Sequence, residues 1–164
     1  MDLTDYVGPA SVGIDMYVDS TWQTGTRAGF WSVMSNGNQS FPIIEWVVDT
    51  NYTGFRYWQS NIGWINATSA PNVLDKWYSL DIVLNGNNTV GFWVNNLLLG
   101  TTSAYGADSI DAIILQAHNQ GPAGEYDVMY DNFSHVVPVP AAAGLGFLGM
   151  GLVGFLRRRK NTAA

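Results

Sequence analysis

The chain contains two glutamates, Glu45 and Glu125, and paired carboxylates are the groups that hydrolyse glycosidic bonds. Retaining enzymes hold their two carboxyl groups about 5–5.5 Å apart, and inverting enzymes about 6.5–9.5 Å apart. Glu45 and Asp49 share one face of a predicted strand, but four residues at about 3.3 Å each separate them by about 13 Å. This separation suits neither mechanism, so we predict that Glu45 is a solvated carboxylate on the outer face of a sheet.

A second group with possible chemistry is Gln116-Ala117-His118, in which Gln116 and His118 project from the same side of a strand. It resembles the Gln-x-His element of alginate-lyase-like sandwiches, where both side chains face the carboxylate of a uronate. The resemblance also implies an arginine that neutralises the carboxylate and a tyrosine that carries the proton. Arg56 and Tyr57 are adjacent and therefore point to opposite faces, so they do not complete this set. A histidine at the end of a strand, before the loop 119–124, is the simpler interpretation.

Calcium is the metal ion with a candidate site, because it prefers carboxylate, amide and carbonyl oxygens as ligands. Asp131 and Asn132 are the candidate ligands, near the end of the predicted body. No spaced Asp cluster of the kind found in calcium-binding loops surrounds them, and Asp and Asn also form turns. Cysteine is absent, which excludes disulfides and thiolate metal sites.

Sugar binding is the function that the tryptophans favour, since flat aromatic rings stack on sugar rings and neighbouring polar groups fix the orientation of the ligand. Seven tryptophans exceed what the core of a domain of this size requires. Most tryptophans of a β-sandwich nevertheless lie in its core. The candidate ligand-binding residues are Trp31, Trp58 and Trp93, with Arg56, Gln116 and His118 as polar partners.

The composition places these residues in an all-β protein. Charged residues make up 12% of the 164 residues and aromatics 13%, and short runs of aromatic and β-branched residues alternate with Asn, Gly, Ser and Asp. One domain is expected for this length. The predicted strands are Ser11–Val18, Ala28–Met34, Ile43–Val48, Phe55–Trp58, Trp77–Leu84, Thr89–Asn95, Leu97–Thr101, Ile110–Ala117 and Tyr126–Val136.

Two hairpins and the core faces follow from the same pattern. We expect Asn85–Asn88 to form one turn, with Gly86 free to take positive φ, and Asn95-Asn96 to form a type I′ turn. Alternation then places Tyr78, Leu80, Ile82 and Leu84 against Val90, Phe92 and Val94 in the core. Ile44, Trp46 and Val48 join them.

Three segments also have a family likeness: GFWSV, DKWYSLDIVLNGNNTVGFWVNNLLL and the closing YDVMYDNF. Their order resembles the concanavalin A-like lectin and glucanase superfamily, whose LamG-type members carry a strand with Trp, a hairpin and a short Asn/Gly turn. The resemblance covers about residues 10–135 and implies an antiparallel jelly-roll β-sandwich. The Glu-x-Asp-x-x-Glu arrangement of the family's glucanases is missing, so the resemblance gives little support for catalysis.

The last part of the chain differs in composition. Residues 141–156 are uncharged and rich in Ala, Gly, Leu and Phe, and the basic residues Arg157–Lys160 follow directly. Roughly 20 apolar residues cross a bilayer, so this segment is a marginal membrane helix, and its basic end is expected on the cytoplasmic side. Those four residues leave three Lys and Arg against 13 Asp and Glu in residues 1–156, a balance that excludes nucleic-acid binding.

This tail resembles the PEP-CTERM sorting signal of Gram-negative bacteria, in a variant with Val139 in place of the central Glu. The resemblance rests on Val137, Pro138 and Pro140, then the apolar helix, then Arg157, Arg158 and Arg159. It implies recognition by an exosortase, a transient anchor in the inner membrane, cleavage near the Pro motif, and release or attachment at the cell surface among exopolysaccharide. An ordinary anchor or a core helix is the alternative.

The sequence therefore predicts a β-sandwich in residues 1–136 and a sorting or anchor segment in residues 137–164, with no cofactor beyond the candidate calcium ion. Residues 1–20 lack the basic start and apolar run of an export signal, so we expect that the natural N-terminus precedes Met1. Two functions are open: a non-catalytic surface or matrix protein that binds glycans, and a polysaccharide-active enzyme of the same fold, either a glycoside hydrolase or an alginate-lyase-like protein.

Overall fold

A computed structural model describes residues 10–35, 41–119 and 124–136. These residues form strands and turns and contain no helix. The ten strands are β1 (Ala10–Val18), β2 (Thr26–Met34), β3 (Ile43–Val48), β4 (Thr53–Gln59), β5 (Gly63–Asn66), β6 (Lys76–Asn85), β7 (Thr89–Val94), β8 (Leu97–Ser103), β9 (Ile110–Asn119) and β10 (Tyr130–Val136).

The strands form two antiparallel sheets that pack face to face. The strand order is β10-β1-β6-β7-β8 in sheet A and β5-β4-β3-β2-β9 in sheet B. The predicted all-β antiparallel sandwich is therefore confirmed. The predicted C-terminal helix, and with it Val137, Pro138, Pro140 and Arg157–Arg159, lies outside the described residues. Within the described ranges no helix is long and apolar enough to cross a membrane.

Alternating side chains of both sheets fill the core between them. The predicted faces of β6 and β7 are buried, from Tyr78 to Leu84 and from Val90 to Val94, and so are Ile44 and Trp46 of β3. Val48 is partly buried against the same core. Aromatic contacts connect the two sheets, as in the stacked pair Tyr57 and Phe92, whose ring centroids are 4.8 Å apart. Each fully buried side chain of this kind contributes about 1.5–3 kcal/mol to stability.

Both predicted hairpins are present, and their backbone angles distinguish them. Asn95 and Asn96 have φ values of 49° and 63°, which confirms the type I′ turn between β7 and β8. Between β6 and β7 the residue with positive φ is Asn88, at 62°, so the prediction that Gly86 takes this role was wrong. A three-residue loop commonly ends on a residue in this left-handed region, and Asn tolerates it.

Apart from small differences at strand ends, the structure makes two corrections to the predicted strands. Strand β5 was missed, because four residues are too few for alternation to be recognised. The last strand begins at Tyr130 and not at Tyr126. Tyr126, Val128 and Tyr130 all pack against the core, so the side chains alternate as in a strand although residues 124–129 form no ladder. Alternation reports which side chains point inward, and it does not report backbone pairing.

Candidate functional site

The outer face of sheet B brings three rows of side chains together across its strands. The register of the strand pairs aligns neighbouring residues of each row opposite one another, except that Ile43 and Trp58 lie one residue beyond the last pair of β3 and β4, Ile44 and Tyr57. The aromatic row contains Trp64, Trp58, Ile43, Trp31 and Ile114; the polar row contains Asn66, Arg56, Glu45, Gly29 and Gln116; the basic row contains Gly54, Val47, Arg27 and His118.

The polar row is held by a continuous set of hydrogen bonds around the carboxylate of Glu45. Arg56 Nε donates to Glu45 Oε1 at 2.7 Å, and Gln116 Nε2 donates to Glu45 Oε2 at 2.6 Å. Arg56 Nη2 lies 2.5 Å from the same Oε1 as an ion pair, without the geometry of a second hydrogen bond. The indole Nε1 of Trp31 donates to Gln116 Oε1. Trp31, Gln116, Glu45 and Arg56 are thus fixed as one unit.

Glu45 was predicted to be solvated, and this prediction was wrong, because its exposed fraction is 0%. It lies on the outer face as expected, yet its neighbours Ile43 and Val47 on that face are also buried. Burial raises the pKa of the Glu45 carboxyl, and the charge and hydrogen bonds of Arg56 and the hydrogen bond of Gln116 offset part of this effect. Alternation identifies the face of a residue and gives no information on what covers that face.

Gly29 makes the polar row possible, because the Glu45 side chain must cross strand β2 to reach Gln116 on β9. A Cβ atom on Gly29 would lie 2.1 Å from the carbonyl oxygen of Ile44 and 2.6 Å from Cα of Glu45. Both are backbone atoms, which cannot rotate away as a side chain can. Only glycine therefore leaves enough space for the Glu45 side chain at this position.

Tyr130 of β10 fixes the same pair of strands from the other sheet. Its hydroxyl accepts a hydrogen bond from Gly29 N at 3.1 Å, and the carbonyl oxygens of Gly29, at 2.8 Å, and of Gln116, at 2.5 Å, lie within reach of its proton. Burial raises the pKa of Tyr130 well above its usual range, so the hydroxyl stays protonated and can donate. The backbone of Gln116 is therefore held as well as its side chain.

A groove of about 440 Å³ opens on this face. Its apolar walls include Trp31, Trp64 and Ile114, the last with 47% of its surface exposed. Its polar groups are Arg27, Gln116 and His118. The guanidinium of Arg56 lies 4.2 Å from the centroid of the Trp64 ring, which supports one wall through a cation–π contact. Aromatic walls with a few fixed polar groups are typical of small-ligand sites.

The structure brings together four of the six residues predicted to bind a ligand. Trp31, Gln116 and His118 line the groove, and Arg56 joins them through Glu45 and Trp64. Trp58 lies one strand away from the groove's wall, with its ring edge-on to Trp64 at 5.3 Å between centroids. Trp93 lies on β7 of sheet A, opposite Asp81 and Leu98, and so on the other side of the sandwich.

Asp131 and Asn132, the candidate calcium ligands, lie at an irregularity in the pairing of β10 with β1. Asp131 is opposite Asp15, and Asn132 has a φ of 50°. The side-chain amide of Asn132 donates to Asp15 Oδ2 at 2.7 Å. This bond uses an oxygen that a cation would need. In the described part of the chain no three His, Cys, Asp or Glu side chains are grouped to hold a metal ion.

The geometry of the face also bears on the two enzymatic alternatives. Arg56 and Tyr57 point to opposite faces, as the sequence predicts, because Arg56 pairs with Glu45 while Tyr57 stacks on Phe92 in the core. Within the three rows Glu45 is the single carboxylate, so these rows provide no carboxylate pair for hydrolysis.

Sequence reasoning missed Arg27 and Trp64 as groove residues. The predicted second strand began at Ala28, one residue after Arg27, although Arg27 shares the alternation of Gly29 and Trp31. Trp64 lies in the unpredicted strand β5, directly opposite Trp58. The available sequence signal for this hairpin was the turn-forming pair Asn61 and Gly63, both of which take positive φ in the turn between Gln59 and Gly63.

The likeness of this chain to known proteins lies in its structure. No protein-family model matches it, and neither does any curated protein. It is similar to the crystal structure of galectin LEC-6 of Caenorhabditis elegans, with a TM-score of 0.49 and 15% identity over 82% of this chain and 89% of the galectin. It is similar also to the binding domain of botulinum neurotoxin serotype G, with a TM-score of 0.45 and 13% identity over 87% of this chain. It spans 36% of that domain.

Proposed function

We propose that this chain is a non-catalytic, glycan-binding domain with a sandwich of the concanavalin A-like type, and that it binds sugar in the groove on sheet B. The observation that carries the proposal is the groove itself, in which Trp31 and Trp64 supply flat apolar walls beside Gln116 and His118. A sugar ring has an apolar face that packs on an aromatic ring and hydroxyl groups that need polar partners.

Preorganisation of the groove supports the same proposal. Binding is weakened when side chains must be ordered at the moment of contact, by about 0.5–1.5 kcal/mol for each rotamer-rich side chain. Here the Trp31 indole is already held by Gln116, and the Gln116 amide is held by Glu45. Arg56 holds Glu45 and contacts the Trp64 ring. Both walls of the groove are therefore connected to one buried ion pair.

We expect the variants Trp31→Ala and Trp64→Ala each to bind their glycan at least about tenfold more weakly, a loss of about 1.4 kcal/mol. The reason is that each removes a wall on which the sugar ring stacks. A glycan array with the purified chain would identify the ligand, and titration calorimetry would give the affinities. Trp93→Ala is the matched control, since it removes a tryptophan from the outer face of sheet A.

Equal loss in Trp93→Ala would contradict this assignment, as would unchanged binding in both groove variants. Assays for new reducing ends and for unsaturated uronates belong to the same experiment. Reproducible turnover of any polysaccharide would overturn the non-catalytic part of the proposal.

We further propose that an exosortase-type enzyme processes this chain and delivers it to the cell surface or the matrix. The support comes from the sequence alone: Pro138 and Pro140, then the apolar residues 141–156, then Arg157–Arg159. These are the three ordered parts that the PEP-CTERM resemblance requires. A transient helix in the inner membrane would hold the basic end in the cytoplasm.

Expression with an export signal in cells that contain an exosortase tests this second proposal. We expect cleavage near the Pro motif, detected by intact mass, and the body in the surface or medium fraction. Replacement of both Pro138 and Pro140 by alanine should leave the full-length chain in the membrane fraction. Full-length wild-type chain in the cytosolic fraction would contradict the proposal.

A further inference from the structure

The few cations of the body are concentrated on the face that holds the groove. Residues 1–156 contain three Lys and Arg residues, Arg27, Arg56 and Lys76, against 13 Asp and Glu. Two of the three, Arg27 and Arg56, lie in the rows of sheet B, where Glu45 is the single carboxylate. Glu45 forms its direct ion pair with Arg56, so the Lys, Arg, Asp and Glu side chains of these rows sum to one positive charge, and Arg27 lies outside that ion pair although its charge lowers the pKa of Glu45.

Arg27 is placed so that this charge is available to a ligand. Its side chain lines the groove and is only partly buried. Among the described residues it has no carboxylate within ion-pair distance, and its buried Nε has no hydrogen-bond partner. The hydroxyl of Tyr126 donates to its carbonyl oxygen at 2.9 Å, which fixes the backbone below it. Because the Nε of Arg27 is buried, an incoming acceptor would have to bind the terminal Nη groups of this side chain.

His118 adds a second donor beside Arg27. The two residues are directly opposite on strands β9 and β2, where paired residues have their Cβ atoms about 4.5–5.5 Å apart. His118 is exposed and lines the same groove. Trp31 lies two rows from Arg27, at about 13 Å along β2. The groove therefore has the cationic Arg27 beside the imidazole of His118 at one end and the aromatic Trp31 at the other.

We propose that the groove selects an acidic sugar, with the carboxylate of a uronic acid unit bound between Arg27 and His118. This inference rests on the proposed function and specifies its ligand class. The planar guanidinium matches the geometry of a carboxylate, and a hydrogen bond between charged groups is about twice as strong as a neutral one. A neutral sugar would leave the charge of Arg27 without a counter-ion.

The acidic residues of sheet A oppose this binding only at long range and do not cancel it. At physiological salt the screening length is about 8 Å, so charges on sheet A contribute little at the groove. Direct contacts with Arg27 and His118 decide the affinity there, whereas the distant acidic residues mainly reduce the rate of encounter.

Calorimetry with a matched pair of ligands tests the inference. One ligand is a uronic acid oligosaccharide, and the other is the same oligosaccharide with its carboxyl groups reduced to hydroxymethyl groups. We expect the wild-type chain to bind the acidic form at least tenfold more tightly, and Arg27→Gln to bind both forms alike. Arg27→Lys keeps the charge and should keep part of the preference. Lys76→Gln removes one positive charge from the exposed start of β6 on sheet A and should leave the preference unchanged.

The outcomes separate this inference from the proposed function. Equal wild-type affinity for the two ligands, or loss of the preference in Lys76→Gln, would overturn the acidic-sugar inference and leave glycan binding in place. A preference that survives Arg27→Gln would overturn it too. If neither this pair nor any other glycan binds, both proposals fail.

Discussion

Replacement of Arg56 by methionine is expected to lower the free energy of unfolding at pH 7 by about 3–5 kcal/mol, the usual cost of removing one partner from a buried ion pair. Glu45 is 0% exposed and would be left with the hydrogen bond of Gln116 and the charge of Arg27 in place of its direct ion pair. Methionine fills a similar volume, so packing contributes little to the loss. Urea unfolding of the two proteins, followed by tryptophan fluorescence, measures the difference.

The pH dependence of this loss identifies Glu45 as its origin. Burial raises the pKa of Glu45 above its ordinary value of 4.5 in spite of Arg56, so the folded chain binds this proton more tightly than the unfolded chain does. The stability that the carboxyl contributes is fully present below pH 4.5 and is lost as the pH rises through the folded pKa. Without Arg56 the pKa of Glu45 rises further. The stability that this carboxyl contributes therefore continues to fall up to a higher pH than in the wild type. The difference in the free energy of unfolding between Arg56→Met and the wild type should therefore become smaller as the pH falls towards 4.5.

A double-mutant cycle provides the control for this prediction. The double variant carries both Glu45→Gln and Arg56→Met, so neither charge remains. The new amide at position 45 still reaches Gln116. It should be more stable than Arg56→Met at pH 7, because replacement of both partners of a buried pair is often close to neutral. A double variant as unstable as Arg56→Met, with a deficit independent of pH, would show that lost packing is the cause.

The two-sheet sandwich could be predicted because its core strands are long and alternate regularly. In β6 and β7 the inward residues from Tyr78 to Val94 are all apolar, and the Asn95-Asn96 turn fixes their register. A shift of one residue would move this whole set to the solvent side, so the pattern permits a single alignment. For such strands the local sequence pattern and the burial in the folded chain indicate the same register.

The site could be predicted only in part, because its rows are formed by strands that are distant in sequence. Arg56, Glu45, Gly29 and Gln116 are neighbours through three different strand pairings. Candidate residues can be chosen one at a time by type, and in this way Trp31 and Gln116 were found. Their contact with Glu45 depends on strand order, which alternation does not provide. The burial of Glu45 is the clearest consequence.

Gly29→Ala is the second variant with a large expected effect, a loss of about 3 kcal/mol in the free energy of unfolding. Inserting a carbon into a packed region usually costs about 1–3 kcal/mol, and the upper end applies when the backbone must move. The added Cβ would lie 2.1 Å from the Ile44 carbonyl oxygen and 2.6 Å from Cα of Glu45. Strands β2 and β3 would have to separate, which would draw Glu45 away from Gln116.

Gly91→Ala is the matched control, since Gly91 also lies buried within a strand and its alanine Cβ would meet side chains alone. The nearest atoms are Trp93 Nε1 at 2.9 Å and Leu98 Cδ1 at 3.5 Å, both on the outer side of sheet A. These side chains can move, and alanine also restricts the unfolded chain, which stabilises by about 0.4–1 kcal/mol. We therefore expect Gly91→Ala to remain within about 1 kcal/mol of wild type in urea unfolding. If Gly29→Ala is equally mild and keeps full glycan affinity, then the path of Glu45 across β2 is not what orders Gln116 and Trp31, and the link between the buried ion pair and the groove is wrong.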